Sequence, residues 1–148
     1  MTTAELRAKL SVIEPTEAMY TGITASDLPA LEQLLTDRED WVAARSVFAA
    51  SRVGGSAAAA FLSKAAADKR APVRVAVAVA VGQRPIVLPD NTLIHLLNDS
   101  DVGVRKFAPQ AVKAENGIEL RTVLTRVAKE DAVPAVRENA AEALRRIH

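Results

Sequence analysis

The chain has 148 residues, the size of a single domain that can bury a core without cross-links. It contains no cysteine, which excludes disulfides and thiolate metal sites, and its 25% of charged residues argues against disorder. Aromatic residues make up only 3% and alanine is abundant, a composition that suits closely packed helices better than strands. Without a long apolar stretch or a secretion signal, we expect a cytoplasmic protein that does not cross a membrane.

Residues 1–26 are predicted to form an N-terminal capping helix and a linker. One amphipathic helix is expected from Thr3 to Ile13, with Pro15 ending it. We expect this helix to shield the exposed end of the helices that follow. A separate recognition arm is the alternative for this segment.

Residues 27–148 are predicted to form a domain of four two-helix units, and the first two units have clear boundaries. In the first unit, Ser26 or Asp27 caps a leucine-rich helix, and a second helix covers residues 41–53 before a Gly-Gly pair. In the second unit, helices are expected over residues 57–67 and 72–82.

The valines of residues 73–81 alternate with alanine or arginine, a pattern that is also typical of a strand. Alanine is not polar, however, so this is not the apolar–polar alternation of a half-buried strand. The stretch also lies where each other unit has its second helix. We therefore predict a helix here.

The third and fourth units are bounded by similar signals. The third begins at Asp90 and ends at Gly117, and Pro109 in its second helix should cost about 3 kcal/mol unless the helix bends there. The fourth unit begins at Ile118, and its second helix opens near Pro134.

An arginine recurs in the second helices at intervals of 29, 31 and 32 residues, and an acidic residue stands six positions before each one. A fixed period of this length is typical of stacked supersecondary units. The arginines are Arg45, Arg74, Arg105 and Arg137, and the acidic residues are Glu39, Asp68, Asp99 and Asp131.

These units resemble HEAT-type repeats, and in particular the short, bacterial-type HEAT-like repeats. The predicted fold is therefore an all-α, right-handed α-solenoid of about four repeats with an N-terminal capping helix. The resemblance implies that the aspartates hold the turn between the two helices and that the arginines form a ladder between neighbouring repeats. Glu39 departs from this pattern, because the first copy has no aspartate at that position.

No residue constellation in the sequence predicts catalysis, a metal site or a cofactor. His95 and His148 lack matched carboxylates for a triad or a zinc site, and the glycines lie where helices stop. Some HEAT-like proteins are alkylpurine DNA glycosylases or phycobilin lyases, but one Trp and one Tyr suit a glycosylase groove poorly. We expect a non-enzyme.

A helical wheel of the second helices separates a core face from an outward face. Counting from each arginine at 100° per residue, positions −1, +2, +3, +6 and +7 share the core face, and positions +1, +5 and +8 lie opposite. In solenoids the second helices commonly line the concave, ligand-binding surface. The predicted partner-binding residues on this outward face are Ala50, Val75, Val79, Lys106, Gln110 and Lys113.

The sequence favours a non-catalytic scaffold or adaptor that binds a protein partner. One alternative is nucleic-acid binding, because residues 56–148 hold 14 basic and 10 acidic residues, including Lys106 and Lys113. An accessory subunit of a lyase-like enzyme is another. Neighbouring helices or residues 1–26 could instead cover Val75 and Val79. The partner and the oligomeric state are not defined by the sequence.

Overall fold

The fold was obtained as a computed structural model that describes residues 1–147, so His148 lies outside the described residues. Within this range the chain forms nine α-helices, three short 3₁₀ helices and no strand. The all-α prediction is confirmed, including the helix over residues 73–81. No helix in residues 1–147 is long and apolar enough to cross a lipid bilayer. The helices are α1 (Thr3–Leu10), α2 (Leu28–Leu34), α3 (Asp40–Val53), α4 (Gly55–Ala65), α5 (Ala71–Gln83), α6 (Asp90–Leu97), α7 (Val102–Phe107), α8 (Ile118–Glu130) and α9 (Pro134–Ile147), with 3₁₀ helices at Glu17–Tyr20, Ala25–Asp27 and Ala108–Ala111.

The chain divides into two compact units, Met1–Val77 and Ala78–His148. We call these two parts the first and the second unit, and we call each pair of helices a repeat. The first holds α1 to α4 and the beginning of α5, and the second holds the end of α5 and α6 to α9. In chain order the helices can be grouped into four two-helix repeats, α2 and α3, α4 and α5, α6 and α7, and α8 and α9. Packing is observed within the α2–α3, α6–α7 and α8–α9 pairs.

In the first unit, α1 is a short helix packed on the first repeat. The Thr2 hydroxyl accepts a hydrogen bond from the Glu5 amide at 3.1 Å, and the Glu5 carboxylate accepts one from the Thr2 amide at 2.6 Å, which forms a capping box. Leu6 and Leu10 are fully buried where α1 packs against α2 and α3. The helix ends at Leu10 rather than Ile13: the Ser11 amide donates to the Ala8 carbonyl at 3.2 Å, and the Arg45 side chain binds the Leu10 carbonyl.

In the second unit, α8 packs against α9 and α6 packs against α8. The core between them is formed by fully buried aliphatic residues such as Leu93, Leu120 and Leu124. Pro109 lacks an N–H group, so α7 ends at Phe107 and the chain continues as a 3₁₀ helix to Ala111.

An aspartate holds each turn between the two helices of a repeat. Its Oδ1 atom accepts the amide hydrogen two residues further on, at 2.9 Å in all four repeats. Asp68, Asp99 and Asp131 do so as the resemblance implies. In the first repeat the aspartate is Asp37, and Glu39 supplies the amide. Glu39, the acidic residue that the arginine period selects in the first copy, is therefore not the turn acceptor, and Asp37 two residues earlier has that role.

Candidate functional site

The periodic arginines hold backbone carbonyls and are part of the scaffold. Arg74, Arg105 and Arg137 each donate from Nη1 to the carbonyl of the aspartate six residues earlier, at 2.9, 2.9 and 2.6 Å. Arg105 also donates from Nε to Asp131 Oδ2 at 2.9 Å, which joins the third repeat to the fourth as a ladder would. These guanidinium groups are therefore bound to the chain itself and stabilise the repeats.

Arg45 departs from this pattern. Its Nη1 atom donates to the carbonyls of Leu10 and Val12, at 2.6 and 2.5 Å, and so ties the N-terminal segment to α3. The ion pair that resembles the Arg105 ladder is instead made by Arg7, whose Nε lies 2.8 Å from Asp37 Oδ2. In the first unit α1 thus supplies the arginine that a preceding repeat would supply.

The turn aspartates are held in their ionised form. Burial acts to raise the pKa of Asp131, but the Val133 amide and the Arg105 guanidinium outweigh it and lower that pKa. Hydrogen bonds from the Arg70 side chain likewise lower the pKa of Asp68. These carboxylates serve as fixed acceptors and are not poised for proton transfer.

The core face predicted by the helical wheel is confirmed in α5, where all five residues at these positions are buried. On the opposite face, Val75 lies in the first unit and Val79 in the second, and both are half-buried. Lys106 and Gln110 are exposed in the second unit. The buried α5 residues are Val73, Ala76, Val77, Ala80 and Val81.

Ala50 does not lie on an exposed face: it is 0% exposed, and its prediction as a partner-binding residue is wrong. The error comes from the register of the first repeat. Because its turn aspartate is Asp37, the position equivalent to the later arginines is Ala43 and not Arg45. Two residues correspond to about 200° around a helix, which moves Ala50 to the core face and places Ala44 and Phe48 outward.

Lys113 is exposed only in part and its ammonium group is already bound. It donates to the carbonyls of Val81 and Arg84, at 2.8 and 3.0 Å, and so caps the end of α5. Burial lowers the pKa of Lys113, and the nearby Arg146 charge lowers it further. The sequence pattern gave no sign of this role, because both acceptors lie about thirty residues away in the chain.

Around Gln110 the structure brings together Glu142, which the wheel also places outward, and two polar residues that the wheel did not select, Asn139 and Arg146. A shallow depression of about 80 Å³ is lined by Gln110, Asn139, Glu142, Ala143 and Arg146. Asn139 donates to the Lys106 carbonyl at 2.8 Å, which couples α9 to α7. A wheel treats one helix at a time, whereas this depression forms between α9 and the 3₁₀ helix after α7. We call Lys106, Gln110, Asn139, Glu142 and Arg146 the α7/α9 face.

No group of three or more His, Cys, Asp or Glu residues within residues 1–147 is arranged to hold a metal ion. His95 is exposed on α6, and the catalytic role of any histidine stays untested.

The chain matches no protein-family profile and no curated protein sequence. Among solved structures it is similar to a designed armadillo repeat protein in complex with the peptide (KR)4, with a TM-score of 0.57 and 20% identity over 84% of this chain. It spans 65% of the length of that protein. Its fold is that of a helical-repeat solenoid. Two engineered proteins match with a TM-score of 0.60 each, at 17% and 20% identity, over 97% and 98% of this chain and 79% and 72% of theirs.

Proposed function

We propose that this chain is a non-catalytic scaffold or adaptor that binds a segment of a protein partner on the α7/α9 face. The observation that carries the proposal is the contrast between two sets of polar side chains. Those of the turns and the ladder are bound to the chain itself, whereas Lys106 and Gln110 are exposed, and Glu142 forms an exposed ion pair with Arg145 of the same helix.

The chemistry of this face suits a polypeptide. Lys106 offers a cation and Glu142 an anion, so charged side chains of either sign can be placed. Arg146 adds a second positive charge, although one of its guanidinium nitrogens already donates to the Pro109 carbonyl at 3.2 Å. The Gln110 amide carries both donors and an acceptor, which matches the N–H and C=O groups of a peptide backbone. The designed armadillo protein, which binds a peptide in its complex, illustrates that a helical-repeat fold can present such a surface.

We also assign the repeats to the short HEAT-like class. The support is the recurring aspartate turn together with an arginine that binds the aspartate carbonyl six residues earlier in three of the four repeats. The alternative of nucleic-acid binding loses one of its two lysines, because the ammonium group of Lys113 is bound to backbone carbonyls.

Affinity capture from cell extract with the wild type and a Lys106→Glu variant tests the proposal. We expect the variant to lose a protein partner that the wild type retains at about 0.1 M and about 0.5 M NaCl. Lys129→Glu is the matched control, because Lys129 is an exposed lysine of α8 outside this face. Equal partner lists for the three baits would refute the α7/α9 face. Capture of nucleic acid that is released at the higher salt concentration would favour phosphate recognition instead.

A further inference from the structure

The segment that follows α1 lies against α3. Arg45 binds the carbonyls of Leu10 and Val12 near the start of this segment. Seven residues further along α3, Arg52 binds Glu17 and Tyr20 near its end. Residues seven apart share one side of a helix, so the segment follows α3 for about two turns.

Arg52 recognises two features of this segment with two parts of its guanidinium group. Its edge forms a fork with the Glu17 carboxylate, in which Nε lies 2.8 Å from Oε2 and Nη2 binds Oε1. Its flat side lies over the Tyr20 ring, with Cζ 3.8 Å from the ring centroid. Nη1 donates to the Phe48 carbonyl at 2.8 Å, which fixes the orientation of the side chain.

The burial of the two partners is unequal. The Arg52 side chain is 17% exposed, whereas the Glu17 side chain is 71% exposed. Met19, between the two recognised residues, is buried. The arginine is therefore a preformed, partly desolvated receptor, and the acidic residue is the part that can leave.

The position of this contact in the repeat is informative. With the first repeat counted from Asp37, Phe48 takes the position that Val79 and Gln110 take in the second and third repeats. Gln110 belongs to the face that we propose for partner binding in the second unit. Arg52 lies four residues after Phe48 on α3, the helix that the chain's own segment contacts in the first repeat.

We propose that the Arg52 face of α3 is a further peptide-recognition site, and that its ligand is a partner segment with a carboxylate three residues before an aromatic residue. The chain's own Glu17 and Tyr20 have this spacing and hold the site until such a segment replaces them. This site is in the first unit and does not depend on the α7/α9 face.

The chain's own segment and a free peptide compete for Arg52, and this competition sets the affinity expected for the peptide. The tethered segment acts at an effective concentration of about 1 mM, so a free peptide of equal intrinsic affinity must reach a similar concentration to replace it. The carboxylate end of the ion pair is exposed, so exchange does not require a buried carboxylate to be uncovered. Removing the Glu17 and Tyr20 side chains should therefore strengthen binding of a free peptide about ten-fold or more.

The test uses the full chain and a labelled peptide of residues 13–23. In the Glu17→Ala/Tyr20→Ala variant we expect the peptide to bind at least about ten-fold more tightly than in the wild type. A peptide with Lys and Ala in place of its Glu17 and Tyr20 should not bind, and adding Arg52→Gln to the variant should abolish binding. Glu14→Ala is the matched control: it removes an exposed acid of the same segment and should bind the peptide as the wild type does.

The proposal is overturned if the folded variant does not bind the peptide, or if wild type and variant bind it equally. If the double variant does not fold, the Glu17→Ala variant is measured with the same peptides, and a gain below about three-fold counts against the site. A wild-type dimer that is absent in the variant would show that a second copy, not a partner, supplies the segment.

Discussion

The Asp131 side chain should be the largest single polar contributor to the stability of the second unit, and Asp131→Ala tests this. Its Oδ1 atom accepts the Val133 amide and its Oδ2 atom accepts Arg105 Nε, both at 2.9 Å. The two side chains are only 8% and 18% exposed. Removing the carboxylate therefore removes the hydrogen bond that holds the turn before α9, and it leaves the largely buried Arg105 guanidinium without this partner.

The magnitude follows from these two contacts. Loss of a side-chain cap at a helix start costs about 1 kcal/mol, and loss of a hydrogen bond to a charged group costs about 1.5–3 kcal/mol. We expect Asp131→Ala to lower the free energy of unfolding by about 2–4 kcal/mol. Arg105→Gln keeps the hydrogen bond between Val133 and Asp131 but also removes the one from Arg105 to the Asp99 carbonyl, so its loss should be of similar size. Because the residues share one contact, the double variant should cost less than the sum of the single variants.

Urea unfolding followed by circular dichroism measures these differences. Glu130→Ala is the control, since Glu130 is an exposed neighbour at the end of α8 and its removal should change stability by less than about 0.5 kcal/mol. If Asp131→Ala unfolds at the same urea concentration as Glu130→Ala, or if the losses at Arg105 and Asp131 are strictly additive, the ladder does not stabilise this unit as reasoned.

Three further predictions concern the pH dependence of stability, the partly exposed Lys113 and the buried Ala50 of the first repeat. Because the pKa of Asp131 is lowered below its unfolded value of about 3.9, its stabilisation is complete above that value and is lost as pH falls through the folded pKa. The unfolding free-energy difference between wild type and Asp131→Asn should thus be constant above about pH 5 and shrink below about pH 4 in acid titrations; a constant difference down to about pH 2 would contradict this. Lys113→Met should lower stability by about 1–2 kcal/mol in urea titrations, whereas Lys106→Met should change it by less than about 0.5 kcal/mol; equal effects would show that Lys113 does not cap α5. Ala50→Leu should lower the melting temperature, because overpacking of the core costs about 1–3 kcal/mol. An unchanged melting temperature would show that Ala50 is not buried.

Much of the fold follows from local signals in the sequence. The repeat period, the apolar spacing of the helices and the turn aspartates are local features, and the helices begin and end close to the predicted places. The alternating valines of α5 are compatible with a helix because alanines stand between them. Valines and alanines together form a continuous buried face of the helix. Pro109 marks the point at which the α-helical pattern stops, as its missing N–H requires.

The α7/α9 face was predicted only in part from the sequence. Lys106 and Gln110 could be placed from the helical wheel, because their repeat has the regular spacing of aspartate and arginine. Asn139 and Arg146 could not, since the depression they line forms between two segments whose approach is a tertiary property.

Local signals in the sequence suffice to identify a series of helical repeats, because hydrophobic period and turn chemistry act over a few residues. The register of the first repeat is set by the Asp37 turn, a local contact that the arginine period obscures. The partners of Lys113 and Arg52 depend on tertiary packing, because the carbonyls, carboxylate and ring that they bind lie about thirty residues away in the chain. A long side chain can reach any of several acceptors, and packing selects which of them it meets.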